Sequence, residues 1–287
     1  LKFLASCSTK EVNIEADKTE VKAKCGAAKL TLPITSVKDW PFKHPTTEGT
    51  FSVPANEAFF RGLDLCSSIV QDRGLASWLG GISFYFGKTL RLYSASPTRD
   101  AICHFTVKEL GTGEKVTRYI VPISFCKTAL AMYKKLGGEE ANLYVGPTVM
   151  LLTFGERGLV FTKLIEAEGQ NIAGRIKAIL DSVDGAYTSI TPELADALKR
   201  AGALASKDGI CGVTVGEGKV RLRTSAPGNT YLGEVVKLKG KHPDIEITVN
   251  PTLVLKMLGN CEEIRFMKDA TVAHAKDGFT YITANKV

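Results

Sequence analysis

Apolar and polar residues along this chain change period in a fixed order, and that order returns. Over 121–166 the sequence VPISFCKTALAMYKKLGGEEANLYVGPTVMLLTFGERGLVFTKLIE opens at helical spacing behind a proline and breaks at paired glycines. It then passes through three short runs of alternating apolar residues divided by turn residues. The same order closes the chain over 249–286 (VNPTLVLKMLGNCEEIRFMKDATVAHAKDGFTYITANK). It also stands at the start, where 1–34 read LKFLASCSTKEVNIEADKTEVKAKCGAAKLTLPI. The repeat is one of element order rather than of letters, and a repeat of this kind sets the architecture before any motif does.

Between these stretches the pattern is as regular. Residues 1–8 place apolar side chains as the tail of an amphipathic helix would, and strands are expected over 11–16, 19–23 and 29–34. Residues 37–47, VKDWPFKHPTT, carry two prolines and read as a linker. A strand at 51–53 leads to Pro54, which suits a first helical position because its missing N–H has no partner there anyway. That helix runs through Ala58, Phe59, Leu63 and Cys66 towards Ile69-Val70, followed by strands over 79–86, 89–94, 101–107 and 116–122. The cycle restarts at 187–190. Thr191 is an N-cap before Pro192, Leu194, Leu198 and Ala201 share a helical face, and strands are expected over 209–215, 219–225 and 231–238. Lys219-Val220-Arg221-Leu222-Arg223 alternates strictly, one face apolar and one basic. Asn250-Pro251 caps the last helix. The expectation is an α+β protein of repeated domains, each with two antiparallel sheets and two helices: half a domain with its linker over 1–48, then complete domains over 49–181 and 182–287.

Composition narrows the function classes. The 287 residues are 44% hydrophobic and 23% charged, as in a soluble globular protein, and no apolar run is long enough to span a bilayer. The formal charge of +7 allows a polyanionic partner. Seven cysteines are scattered singly without a CxxC pair, which argues for buried thiols in a reducing, cytoplasmic compartment and against zinc or a disulfide framework. Leu4-Ala5-Ser6-Cys7 has the letters of a lipoprotein cleavage box, but the basic start and apolar core that box needs do not precede it. The first residue is not Met, so residues upstream of Leu1 are expected.

Phosphate loops and catalytic sets do not assemble. Gly87-Lys88-Thr89 lacks a glycine at the right distance and is followed by strand-like TLRLYS, so it reads as a hairpin turn. Gly111-Thr112-Gly113 reads as a turn as well. His44, His104, His242 and His274 have no ligand-like spacing, and no metal site, cofactor or catalytic residue is expected.

The order and spacing of several stretches resemble the bacterial DNA sliding clamps, the β subunit of the replicative DNA polymerase III. LTLPITSVKDWP (30–41) is similar to the family's domain-one exit, a strand, LP and a DFP-like tripeptide. WLGGI (78–82) resembles its L-x-G-hydrophobic strand, and LYSASPTRDAIC (92–103) stands where it has V-A-T-D-G-H-R-L-A. FTKLI (161–165) is close to F-x-S-K-L-I/V, while Val249-Asn250-Pro251 and Tyr281-Ile282-Thr283-Ala284 correspond to F-N-x-x-Y-L and Y-V-V-M-P. The departures cluster. D-G-H-R-L is Ser96-Pro97-Thr98-Arg99-Asp100, the terminal M-P-M-R-L is Ala284-Asn285-Lys286-Val287, and F-P-D-Y is replaced by Asn171-Ile172-Ala173-Gly174. All three changes fall at the family's partner-peptide groove and suggest a divergent, phage-type clamp.

The resemblance implies a non-catalytic processivity factor: a head-to-tail homodimeric ring around double-stranded DNA, in the cytoplasm and away from membranes. It would tether the replicative DNA polymerase and be opened by a clamp loader. Its helices would line the hole and hold phosphates without reading bases. The cations on or beside those helices are Arg61, Arg73, Lys127, Lys134, Lys135, Lys199, Arg200, Lys207 and Lys256, with Glu57, Asp64, Glu193 and Asp196 as the acids among them. The groove residues carried over are Leu79, Ala95, Pro97, Thr98, Arg99, Lys177, Ile282, Thr283 and Ala284. The residues alone also admit a repeat-built hydrolase or surface protein whose site the sequence hides.

Overall fold

A computed structural model describes residues 11–34, 51–70, 77–96, 101–136, 140–166, 171–182, 187–204, 211–226, 230–239, 242 and 244–285. The chain divides into two compact units, Leu1–Thr46 and Thr47–Val287. The expected helix at 1–8, the 4–7 cleavage-like box and the 37–47 linker lie outside the described residues.

In the first unit β1 (Asn13–Ala16), β2 (Glu20–Cys25) and β3 (Ala28–Pro33) form an antiparallel sheet in that order. The Asp17 carboxylate accepts backbone N–H bonds from Thr19 (2.7 Å) and Glu20 (2.9 Å), which closes the first turn and holds its pKa below the ordinary value. Ala23 and Cys25 are buried, while Ile14 and Leu32 are exposed.

The second unit runs through one order of elements twice. First come β4 (Phe51–Pro54), α1 (Glu57–Ser67), β5 (Gly81–Phe86), β6 (Leu90–Ser96), β7 (Ala101–Val107), β8 (Thr117–Pro122), α2 (Ile123–Leu136), β9 (Ala141–Val145), β10 (Val149–Phe154) and β11 (Gly158–Lys163). After α3 (Ile172–Asp181) the order returns. It comprises β12 (Thr188–Ser189), α4 (Pro192–Leu204), β13 (Cys211–Gly216), β14 (Lys219–Ala226), β15 (Thr230–Lys237), β16 (Ile245–Val249), α5 (Pro251–Leu258), β17 (Glu263–Phe266), β18 (Ala270–His274) and β19 (Phe279–Ala284).

Strand pairing repeats with it. One four-stranded sheet has the order β11-β10-β9-β4 and another β15-β14-β13-β16. A further sheet has eight strands in the order β12-β17-β18-β19-β7-β6-β5-β8. It fuses the middle four strands of the first series with the first and last three of the second. The fusion is the antiparallel pairing of β19 with β7, from Phe279 opposite Phe105 to Thr283 opposite Ala101.

The helices follow from capping and stripe. The Asn56 side chain accepts from Phe59 N at 3.0 Å to start α1, with Glu57 in its first turn, where a negative charge suits the helix dipole. Phe59, Phe60, Leu63 and Cys66 then bury on one face. Phe60 stacks on Tyr133 of α2 with ring centroids 3.8 Å apart. The helices α1 and α2 pack side by side, as do α4 and α5; α1 lies on β6 and β7, and α5 on β18 and β19.

Three local expectations are corrected. Pro54 is the last residue of β4 rather than the first of α1, because Asn56 supplies the stronger cap two residues on. Residues 77–80 form a short 3-10 turn before β5 rather than its first turn of strand. Residues 172–181 are helical, so the second unit has a fifth helix that the two-per-domain count omits. Apolar residues at Ile172 and Ile176 give it a one-sided stripe, and Asn171 caps it by accepting from Gly174 N at 2.9 Å.

Gly62 shows how tightly α1 sits on the sheet. A Cβ at this position would come within 2.6 Å of Phe105 and 2.8 Å of Leu92, both fully or almost fully buried. Helix propensity alone favours alanine over glycine by about 1 kcal/mol. Overpacking against the buried Phe105 ring and the Leu92 side chain costs about 1–3 kcal/mol and outweighs it. Gly62→Ala is therefore expected to lower the thermal midpoint measured by circular dichroism.

Candidate functional site

Two features of the second unit could meet a partner: the solvent face of the helices and the outer face of the junction between β7 and β19. On the helices Arg61, Lys127, Lys134, Lys135, Lys199 and Arg200 are all exposed, opposite the buried stripes. Four of them meet carboxylates of the chain. The Arg61 Nε lies 2.5 Å from Asp277, in the turn after β18, so this pair ties α1 to the second series of elements. Lys134 is 3.9 Å from Asp64 and Lys199 is 3.1 Å from Asp196. Arg200 donates twice to Glu234 on β15, both bonds at 2.6 Å. That fork holds the Glu234 carboxyl below, and the Arg200 guanidinium above, its ordinary pKa. Pairs as exposed as those of Lys134 and Lys199 are each worth about 0–1 kcal/mol and are screened by salt, so phosphates can displace them. Lys135 has no carboxylate within reach among the described residues.

At the junction α3 covers the outer face of the eight-stranded sheet. Its Ile172 and Ile176 bury against Tyr93, Met267, Ala270, Val272 and Ile282. Ala95, Ile102, Ile282, Val272 and Arg265 stand in one cross-strand row on this face, contributed by β6, β7, β19, β18 and β17. Arg265 is buried, sits 4.8 Å from the centre of the Tyr187 ring and donates to the Ile179 carbonyl at 3.5 Å. It thus fastens the end of α3 to the second series.

A polar row runs beside the apolar one. Tyr187 Oη and His274 Nε2 are 2.5 Å apart, and His274 Nδ1 lies 2.8 Å from Thr280 Oγ1. Across the β19–β7 seam Thr280 faces His104, whose ring stacks on Tyr93 at 4.6 Å and whose Nε2 is 3.1 Å from Thr106 Oγ1. Burial pushes His104 down to about 4, with Arg91 and His274 adding to the effect. Burial, then Arg265, lowers His274 as well.

The expected site residues sort as follows. Ala95 and Ile282 meet in the junction cluster, and Lys177 is exposed on α3 one residue from Ile176. Ala284 ends β19 on the same face as Ile282. Thr283 is corrected: strand alternation turns it to the opposite face, where it is 1% exposed, so it cannot line this cluster. Leu79 lies in the 3-10 turn beside β5 and β6. Arg73, Lys207, Pro97, Thr98 and Arg99 fall outside the described residues, as does the side chain of Lys256. Sequence reading missed Asp277 and Glu234, which are distant in the chain from the cations they meet. It also missed Ile172 and Ile176, whose four-residue spacing after an asparagine was a visible helix signal. Burial raises the thiols of Cys66 and Cys261 to about 12, opposite to what a nucleophile needs. Among the described residues no three His, Cys, Asp or Glu side chains gather as metal ligands, and no helix is long and apolar enough to cross a membrane.

The polar row has a pH consequence. The unfolded chain binds a proton at His104 as pH falls through 6.5, whereas the folded chain resists until about 4. Stability is therefore full above pH 6.5 and is lost as pH falls towards 4. Urea midpoints should drop between pH 7 and pH 4.5, and His104→Gln should flatten that dependence.

No protein-family model and no curated protein matches the chain. Solved structures do. The DNA polymerase III subunit beta of Pseudomonas aeruginosa superposes with a TM-score of 0.79 at 18% identity, over 96% of this chain and 76% of that one. A putative DNA polymerase III beta subunit from Eubacterium rectale gives 0.82 at 19% identity, over 99% and 79%. The beta subunit from DNA polymerase of Streptococcus pyogenes gives 0.76 at 13% identity, over 99% and 79%. With its twice-run strand order, its paired helices and these neighbours, the chain has the fold of the DNA polymerase III beta sliding clamps.

Proposed function

We propose that this chain is a sliding clamp: a non-catalytic processivity factor that encircles duplex DNA and tethers a replicative polymerase. The reading assigns two complete clamp domains to 49–181 and 182–287 and the closing half of another to 1–48. One observation carries it, the pairing of β7 with β19. Each is the third strand of a three-strand run, one from the middle of a series and one from its end. The second series has its own counterpart of β7 in β15, whose outer edge has no strand beside it among the described residues. The first unit has a counterpart of β19 in β3, also an edge strand, with Leu32 exposed. Repeating the β7–β19 contact between β15 of one copy and β3 of the next joins chains head to tail, and two copies suffice for a closed ring.

The helices, with Lys127, Lys134 and Lys135 on α2 and Lys199 and Arg200 on α4, then face the duplex. They bind phosphates by charge and release of counterions, without reading bases. Arg73, Lys207 and Lys256 complete this set in the proposal. The junction cluster around Ala95, Ile176 and Ile282, with Lys177 on α3 and Ala284 at the end of β19, receives a partner peptide through a few apolar anchors, and the proposal includes Leu79, Pro97, Thr98 and Arg99 in the same groove. A clamp loader opens the ring.

The test separates topology from affinity. The protein, loaded by its loader or trapped by chemical cross-linking, is expected to stay on circular duplex DNA through a salt wash and to run off the same DNA once linearised. Equal loss from both forms would overturn the proposal. Leu30→Asp with Leu32→Asp, both outside the cores, is expected to convert the dimer to a monomer in sedimentation and to abolish retention.

A further inference from the structure

The sheet β15-β14-β13-β16 has one face under α4 and another that nothing covers among the described residues. On the open face β14 presents Lys219, Arg221 and Arg223 at alternate positions, and β15 adds Lys237 opposite Lys219. Successive cations on β14 are about 7 Å apart, since an antiparallel strand rises about 3.4 Å per residue. The stripe therefore keeps a step close to that between phosphates of a stretched single strand. Glycines flank it. Gly233 and Gly212 lie on either side of Arg223, and Gly216 lies opposite Lys219. Gly212 and Gly233 leave bare backbone on both sides of Arg223, whereas Asp244 lies over Gly216, 2.5 Å from where a Cβ would stand, and Thr214 and Val235 flank Arg221.

Acids share this face with the lower half of the stripe, around Lys219 and Arg221. Asp244 and Glu246, on and before β16, line with Glu217 and Arg221 a depression of about 360 Å³. Their strand is two positions from β14, but Asp244 reaches over Gly216 on the strand between, so Arg223 is the cation of the stripe farthest from these acids. Only Arg221 of the stripe meets a carboxylate, Glu217 at 3.4 Å, and that partner is highly exposed. Lys219, Arg223 and Lys237 have none among the described residues. On the helix face, by contrast, four of six described cations are already paired with carboxylates of the chain.

We propose that this open face is a second nucleic-acid surface, one that holds the phosphate backbone of an extended single strand along β14. It goes beyond the clamp reading, since it lies across the sheet from α4. A straight, flat row matches a stretched backbone, whereas the phosphates of a duplex curve away from a plane after a short contact. With no base-reading geometry in the row, binding is by charge and independent of sequence.

The test is fluorescence anisotropy of labelled oligothymidylate with the full chain at low salt. Affinity is expected to fall as salt rises. Arg221→Glu with Arg223→Glu should raise the dissociation constant tenfold or more and reduce the log–log salt slope by about 1.4, two contacts at about 0.7 each. Gly212→Leu leaves charge untouched and meets only ordinary contacts near Arg223, 3.6 Å away, so it tests the bare floor without threatening the fold. It should weaken binding as well. The proposal is overturned if neither variant changes affinity by more than twofold. It is overturned too if polyglutamate competes as well as unlabelled oligothymidylate, which would mark a surface for acidic polypeptides. Retention on circular duplex DNA, read in parallel, fails or survives separately and so keeps this claim distinct from the clamp reading.

Discussion

Strands β7 and β19 lie far apart in the chain, yet their antiparallel ladder makes one sheet of two series of elements. Most of what gives the second unit its character depends on that seam. It supplies a continuous inner face on which α1 and α5 rest, and an outer face on which α3 rests. It lines up Tyr93, His104, Thr280 and His274 in one polar row and Ala95, Ile102, Ile282 and Val272 in one apolar row. Contacts beyond the strands reinforce it. Arg61 reaches Asp277 on the helix side, while Arg265 grips Tyr187 and the end of α3 on the other. Main-chain bonds give the seam its geometry, and the two arginines oppose rotation about it from both sides.

The charge on the helix face is partly internal. Arg200 is committed to Glu234 by a fork of two short bonds, while Lys134 and Lys199 sit in looser, exposed pairs. A phosphate arriving there exchanges one anion for another rather than meeting a bare cation. Such exchange favours loose holding over tight, localised binding, which suits a protein proposed to move along its ligand.

Much of this was legible in the chain. The returning order of helical and alternating segments gave the element sequence, since period 3.6 and period 2 differ over even short runs. Thr191-Pro192 and Asn250-Pro251 marked the starts of α4 and α5. The rest depends on proximity that no local pattern encodes. Glu234 lies on a strand 34 residues from Arg200, and Asp277 sits in a turn far from Arg61, so counting acids on the helices alone understates the pairing. Thr283 and Ile282 are neighbours in sequence and opposites in space, a distinction that requires knowing which face of β19 meets α3. Residues 172–181 carried a helix signal that comparison with a loop-like motif concealed.

The Arg200–Glu234 fork bears on how this chain survives alone. β15 is an edge strand, and bare edges invite pairing with any extended backbone. Glu234 points inward from that edge, so a stray strand docking there would have to accommodate a carboxylate bound to a guanidinium rather than an apolar neighbour. Lysines at 237 and 239 add like charge along the same border. An unassembled copy is thereby guarded against fibre growth at the very border that its proper mate is proposed to use.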